Sequence, residues 1–267
     1  MNKFRKRGGH ILTAVLYVVI YTVMQTVVSL IYAIYQQKLT NISDADIYEN
    51  MINGSYAMTA IAAVLSMWIY MILGAVRKKP PARYVHSEKV YPMTAVMACI
   101  SAIGARLAVT AYSHFAQKIG VLKRSLDSAM EYAPDELNAA QALAAFFMII
   151  AIAPLFEEFL FRCLVMGELA EVMRPQSAIV FQAIIFGAAH MVLFQSIFAF
   201  VMGILLGIIY YKTQSIILSA ACHAVFNFSA VAEGLPLNNS SAAILAVFGI
   251  LLIAASMTYI IRDSKKL

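Results

Sequence analysis

The chain has 267 residues, of which 62% are hydrophobic and 13% are charged. Soluble globular proteins carry about 25% charged residues, so this composition excludes an ordinary soluble domain and indicates a polytopic helical membrane protein. The formal net charge is +6, but the basic residues cluster in short tracts beside apolar segments, which is typical of topology signals and not of nucleic-acid binding. The cysteines form no C-x-x-C pair, so neither a disulfide framework nor a thiolate zinc site is expected.

The apolar stretches predict an all-α bundle of about eight transmembrane helices, because crossing the hydrocarbon core takes about 20 residues of helix. They lie near residues 11–35, 56–76, 92–115, 140–165, 178–194, 197–211, 215–232 and 242–261. The first stretch follows a basic N-terminus, as the core of a signal peptide does. It is longer than such a core and lacks a small-residue cleavage site, so we expect a retained helix.

Lysine and arginine are unevenly divided between the two sides of this arrangement. Fourteen lie on the side that holds both termini, and four lie on the other, namely Lys38, Lys118, Lys123 and Arg124. By the positive-inside rule, both termini are expected in the cytoplasm, in a multi-pass protein of the cell membrane. The outer loop 116–139 mixes charged and apolar residues and is expected to lie partly as an amphipathic helix at the membrane surface.

Three ionisable residues interrupt the fourth predicted helix, in the segment Phe156-Glu-Glu-Phe-Leu-Phe-Arg162. A charge in such a place costs roughly 2.5 to 3.5 kcal/mol on insertion scales, so it usually serves a purpose. At about 100° per residue, Glu158 and Arg162 share one face and are expected to form an ion pair, whereas Glu157 points about 140° away from Arg162. Glu157 is therefore expected to project into a cavity as a general base. A pair that only fixes helix packing is the alternative for Glu158 and Arg162.

Two histidines occur in later apolar segments, each four residues from another polar or aromatic side chain. Phe186-Gly-Ala-Ala-His190 places a phenyl ring and an imidazole on one helical face, and His223-Ala-Val-Phe-Asn227 does the same for an imidazole and a carboxamide. Such a set suits a water molecule that the imidazoles hold and Glu157 deprotonates, with Asn227 and a histidine donating to an oxyanion. A histidine alone in an apolar helix is more often a hydrogen-bonded packing residue.

The ordered set Glu157-Glu158-x-x-x-Arg162, Phe186-x-x-x-His190 and His223-x-x-x-Asn227 resembles the CPBP family of intramembrane proteases. This family is also called the type II CAAX prenyl protease or abortive-infection family. The resemblance covers roughly residues 92–261. It implies a protease core at 92–267, preceded by variable transmembrane helices at 1–91.

The resemblance also implies a role for each motif residue. Glu157 is expected to activate the attacking water, and His190 to help hold it. His223 and Asn227 are expected to stabilise the oxyanion of the tetrahedral intermediate. Supporting roles are implied for the remaining motif residues, which are Glu158, Arg162 and Phe186.

A divalent metal such as zinc is a candidate cofactor, because members of this family are often called metalloproteases. A catalytic zinc usually has three protein ligands and one water, and Glu157, His190 and His223 would supply the three. The H-E-x-x-H pattern is absent from the chain, however, and one glutamate serves poorly as both metal ligand and free base. A glutamate protease without an obligatory metal therefore stays open.

The favoured interpretation is an intramembrane endopeptidase whose substrate is a membrane-associated peptide or protein, prenylated or not. In the predicted helices, Glu157 and His223 each lie about eight residues from a cytoplasmic end, or roughly 12 Å deep, which favours access from the cytoplasm. One alternative is a non-enzymatic immunity or scaffold protein of the bacteriocin-immunity type. Another is a proton-relaying transporter, although no inverted repeat is visible.

Three further features carry structural expectations. Arg106 lies within a predicted membrane helix and is expected to face the bundle interior, paired with an acid or a carbonyl near the active site. His10 lies beside basic residues and is expected at a membrane edge. Gly203 and Gly207 form a small-x-x-x-small stripe, which predicts tight helix packing.

Overall fold

The computed structural model describes residues 3–40, 43–131, 138–232 and 237–263. Over these residues the chain folds into nine α-helices and contains no β-strand, so the all-α class is confirmed. The helices are α1 (Lys3–Tyr35), α2 (Asp44–Val76), α3 (Pro92–Ala116), α4 (Gly120–Glu131), α5 (Ala139–Ala170), α6 (Pro175–Ala189), α7 (Leu193–Thr213), α8 (Ile216–Phe228) and α9 (Asn239–Asp263).

Six of the described helices are long and apolar enough to cross a membrane, which makes this a multi-pass membrane protein. Two further apolar helices are shorter, with 15 residues in α6 and 13 in α8. At 1.5 Å per residue they measure about 22 and 20 Å, against a hydrocarbon core of about 30 Å. The predicted count of eight transmembrane helices is therefore not confirmed. The two short helices end beside His190 and Asn227, so these candidate residues lie at helix ends.

The boundary between α6 and α7 differs from the predicted one. The sequence predicts a helix over 178–194, but α6 ends at Ala189 and α7 begins at Leu193. Met191 makes the turn with a φ of 59°, a left-handed conformation that costs a non-glycine residue roughly 1–2 kcal/mol. Because neither Gly nor Pro marks this turn, it leaves little signal in the sequence. His190 is consequently the C-cap of α6 and not a residue within a helix.

Helix α5 is continuous but not uniformly α-helical. Two π-helical segments, Met148–Ile152 and Phe159–Val165, flank the α-helical segment Ala153–Glu158 that carries both glutamates. Pro154 lacks a backbone N–H, so a regular hydrogen-bond pattern cannot continue through it. Single π-turns within α-helices occur frequently at functional sites.

The depth of Glu157 also differs from the expectation, because α5 continues beyond residue 165 to Ala170. Glu157 lies 13 residues before that end, since 170 minus 157 is 13, which corresponds to about 20 Å. His223 lies seven residues after Ile216, the first residue of α8, or about 10 Å. The prediction that Glu157 and His223 lie equally far from the ends of their helices, at roughly 12 Å, is therefore wrong.

Glycines bring the helices around the candidate site close together. A Cβ atom on Gly203 would lie 2.9 Å from the Cα atom of Ala183, and one on Gly207 would lie 2.8 Å from the Gln182 side chain. Both distances are shorter than a normal carbon contact, so α6 and α7 approach each other this closely only because glycine stands at both positions. The tight packing predicted for this stripe is confirmed.

A buried ionic cluster joins α1 and the end of α2 to α5. Glu168 is fully buried and accepts hydrogen bonds from Arg77 at 2.6 and 3.2 Å and from His10 Nδ1 at 2.6 Å. The bond to Glu168 raises the pKa of Arg77. His10 is itself 5% exposed, because Glu168 gives it a buried partner, and its expected place at a membrane edge stays a prediction. The first two helices are thus anchored to the helix that carries the candidate base.

Candidate active site

Glu158 is fully buried in α5 and has three partners. Arg162, one turn later, places its Nε atom 2.9 Å from the Glu158 Oε2 atom. From α8, the Ser219 hydroxyl donates to Oε2 at 2.5 Å, and His223 Nδ1 donates to Oε1 at 3.0 Å. The ion pair between Glu158 and Arg162 is the one predicted from their spacing of four residues on one helical face. Because Glu158 also reaches His223, the pair does more than fix the packing of one helix.

The Arg162 guanidinium is fully buried and is fixed by α6. Its Nη1 atom donates to Gln182 Oε1 at 2.9 Å, and its Cζ atom lies 4.8 Å from the centre of the Phe186 ring, within the range of a cation–π contact. Sequence reasoning missed both Gln182 and Ser219. The signal that would have found them is a polar side chain in a short apolar helix, since such groups usually have a buried partner.

Glu157 has a different environment from its neighbour Glu158. Its side chain is 25% exposed, and its Oε2 atom lies 3.8 Å from His223 Nε2. Because His223 Nδ1 donates to Glu158, the Nε2 atom of the neutral ring carries no proton and faces Glu157 across this gap. Glu157 is thus a partly exposed carboxylate next to an imidazole whose orientation is fixed.

Phe186 lies between the two histidines of the motifs. Its ring centre is 4.9 Å from that of His190 and 6.1 Å from that of His223, with both pairs edge to face. His190 Nδ1 donates to the Phe186 carbonyl oxygen at 2.8 Å, so its Nε2 atom also lacks a proton in the neutral ring. Among the described contacts, Glu157, Glu158 and His223 meet directly, whereas His190 is connected to them through Phe186.

Asn227 and Arg106 each bond to a backbone carbonyl around the end of α8. The Asn227 side-chain Nδ2 atom donates to the Ile149 carbonyl oxygen of α5 at 2.9 Å. Arg106 of α3 donates from Nε and Nη2 to the Phe226 carbonyl oxygen at 3.2 and 3.0 Å. A cation at the last carbonyls of a helix is stabilising. The predicted pairing of Arg106 with a carbonyl near the candidate site is confirmed.

The spacing of Glu157, His190 and His223 does not suit a metal ion. Within the described parts of the chain, no group of three His, Cys, Asp or Glu side chains is placed to hold one. The chemistry of the donors fits zinc in one respect, because metal-binding histidines usually use their other ring nitrogen for a hydrogen bond, as both do here. Because no three such donors converge among the described residues, we assign no metal-dependent step to them.

A cavity of about 470 Å³ lies beside Arg162, at the C-terminal half of α5. Tyr84, Tyr210 and Gln214 are among its lining residues, but Glu157, His190 and His223 are not. This cavity is therefore not the chamber into which Glu157 was expected to project. Arg162 contacts both the cavity and Glu158, so it lies between the two regions.

The segment that contains these side chains matches a known protein family. Residues 139–229 match the family model for type II CAAX prenyl endopeptidases, Rce1-like. The match begins with α5 and ends one residue after α8, so it includes all three motifs. No curated protein and no solved structure matches the chain. The chain is thus similar over residues 139–229 to the Rce1-like type II CAAX prenyl endopeptidases, in agreement with the resemblance that its CPBP motifs carry.

Proposed function

We propose that this protein is an intramembrane endopeptidase that hydrolyses a peptide bond in a membrane-associated peptide or protein, with Glu157 as the general base. Its family supports protease activity in general terms. The observation that carries the proposal is the contrast between two adjacent carboxylates. Glu158 is fully buried with three partners, whereas Glu157 is 25% exposed and faces His223 Nε2 at 3.8 Å.

The first step is the attack of water on the scissile carbonyl. A water molecule within reach of Glu157 Oε2 and His223 Nε2 is held by a carboxylate and an imidazole. Glu157 takes one proton from this water as the oxygen forms a bond to the carbonyl carbon. The carbonyl π electrons move to its oxygen, which becomes the oxyanion of a tetrahedral intermediate.

Donors around the end of α8 stabilise that oxyanion. Asn227 uses one Nδ2 hydrogen for Ile149, so its second Nδ2 hydrogen serves the oxyanion. His223 takes up the second proton of the water at Nε2 while Glu158 holds Nδ1; Nε2–H then donates to the oxyanion and passes this proton to the leaving amine on collapse. When the intermediate collapses, the C–N bond breaks and Glu157 returns its proton to the leaving amine. One water is consumed, and a new carboxylate and a new amine are formed.

We further propose that both termini face the cytoplasm of a cell-membrane protein and that substrates enter from that side. The uneven division of lysine and arginine supports this orientation. The lipid bilayer and a membrane-associated peptide are then the partners, with no role for nucleic acid. The matched family is that of type II CAAX prenyl endopeptidases, so a prenyl group is one anchor to test.

The test uses purified full-length protein in liposomes with a set of lipid-anchored peptides, prenylated and acylated, whose products are identified by mass spectrometry. The wild-type protein is expected to cut at least one peptide into two fragments, and Glu157→Gln is expected to cut none. Glu171→Gln is the matched control, because Glu171 lies just after α5 and pairs with Arg83. Cleavage by Glu157→Gln at the wild-type rate rules out the proposed base.

A further inference from the structure

One backbone carbonyl of α5 has no backbone hydrogen bond available to it. In the π-helical segment, the Ala153 N–H bonds to the Met148 carbonyl oxygen and not to that of Ile149. The next N–H along the helix that would reach Ile149 belongs to residue 154, which is proline and has none. The Ile149 carbonyl oxygen is therefore left for a donor from outside the helix.

Asn227 of α8 is that donor. Its Nδ2 atom lies 2.9 Å from the Ile149 oxygen. Because a carbonyl oxygen only accepts, this bond fixes which end of the carboxamide is nitrogen and sets the plane of the amide. The second Nδ2 hydrogen then has a defined direction, and it is the hydrogen that the proposed reaction uses for the oxyanion.

The same bond connects the helix of the base to the helix of the oxyanion donor. Glu157 lies three residues after Pro154 on α5, and Asn227 lies four residues after His223 on α8. From the other side, Arg106 holds the Phe226 carbonyl at the end of α8. The backbone next to Asn227 and its side chain are thus fixed by separate partners.

We infer that Pro154 is a positioning residue, which leaves the Ile149 carbonyl free to orient the Asn227 side chain for the oxyanion. This inference rests on the proposed function. It adds a residue that contacts neither the water nor the substrate. Pro154 affects turnover only because it determines the orientation of the Asn227 amide.

The first test compares Pro154→Ala with the wild-type protein on the lipid-anchored peptide that the wild type cleaves fastest. Alanine supplies an N–H that competes with Asn227 for Ile149. Since removing one oxyanion donor costs about 100- to 1000-fold in kcat, we expect a misdirected donor to cost about tenfold, with KM unchanged. Pro92→Ala is the matched control, because Pro92 is in the first turn of α3, where a missing N–H breaks no helical bond.

The second test is a double-mutant cycle with Asn227→Ala. If Pro154 acts through Asn227, Pro154→Ala lowers kcat in the wild-type background but by less than about twofold in the Asn227→Ala background. Equal effects in the two backgrounds overturn the inference, as does an unchanged kcat in Pro154→Ala. If Pro154→Ala does not fold, Pro154→Ser supplies the same N–H. If neither Pro154→Ala nor Pro154→Ser folds, Pro154 is required for folding, and the inference is also overturned.

Thermal unfolding in detergent separates this inference from the proposed function. Asn227→Ala is expected to lower the unfolding temperature of the wild-type chain, but not that of Pro154→Ala, where Ile149 already has a donor. A wild-type protein that cleaves no peptide contradicts the proposed function, while this stability cycle still reports on the Asn227 bond. Equal shifts in both backgrounds contradict the claim that the N–H of residue 154 displaces Asn227 from the Ile149 carbonyl.

Discussion

The Glu158 carboxylate lies 3.0 Å from the Nδ1 atom of His223, so the carboxylate that pairs with Arg162 also orients the imidazole that faces Glu157. A carboxylate on one ring nitrogen fixes the tautomer and the direction of the other nitrogen. The two adjacent glutamates therefore have different roles. Glu158 holds the histidine in place, and Glu157 remains partly exposed.

Replacing Glu158 is expected to damage stability more than replacing Glu157. Glu158→Gln leaves the fully buried Arg162 without a counter-charge, which costs about 3 kcal/mol or more in free energy of unfolding. Glu157→Gln removes a partly exposed charge and is expected to have little effect on stability. Thermal unfolding of both variants in one detergent measures the difference, and equal melting temperatures would show that the Glu158 pair is not the buried ion pair described.

The Ser219 hydroxyl is expected to matter because it donates to Glu158. Ser219→Ala leaves a buried carboxylate oxygen with one partner fewer, at a cost of about 1–3 kcal/mol, and lowers kcat by loosening His223. The control is Ser256→Ala, since Ser256 is equally buried but bonds to carbonyls of its own helix. If Ser219→Ala matches this control in melting temperature and kcat, the Ser219 hydroxyl does not contribute to the site.

Arg106 is expected to support the end of α8 that carries Asn227. Arg106→Leu removes the donors to the Phe226 carbonyl, and loss of charged hydrogen bonds of this kind costs about 1.5–3 kcal/mol. We expect reduced kcat, with partial recovery in Arg106→Lys. Peptide cleavage in liposomes at matched expression is the measurement. Unchanged expression and activity in Arg106→Leu would show that this contact is dispensable.

Removal of metal is expected to leave activity in place. This prediction follows from the spacing of Glu157, His190 and His223, which does not suit three ligands of one ion. The protein is treated with chelator, its metal content is determined, and cleavage is measured before and after zinc is added. Loss of cleavage on chelation with recovery on zinc addition would mean that the three side chains move together to bind the ion.

The proposed orientation predicts opposite labelling of two engineered cysteines. Ala82→Cys, in the link between α2 and α3, is expected to react with an impermeant maleimide from the cytoplasmic side, and Gln117→Cys, just after α3, from the other side. Both positions are exposed, whereas Cys163 and Cys222 are buried. Labelling of both positions from one side would contradict the proposed topology.

The sequence predicts those parts of the site that depend on helical periodicity. The Glu158–Arg162 pair and the contact of Phe186 with His190 follow from residues four apart on one face. The turn after His190 does not follow, because Met191 adopts a left-handed conformation without a glycine signal. The partner of Asn227 does not follow either, because it depends on the π-turn before Pro154, which changes the backbone register without changing any motif spacing.

Cleavage in water labelled with oxygen-18 tests the central claim most directly. Wild-type protein in liposomes should release a fragment whose new carboxyl terminus contains oxygen from the labelled water, and Glu157→Gln should release none, while Glu171→Gln behaves as the wild type. Labelled fragment from Glu157→Gln at the wild-type rate would contradict the claim that Glu157 activates the attacking water.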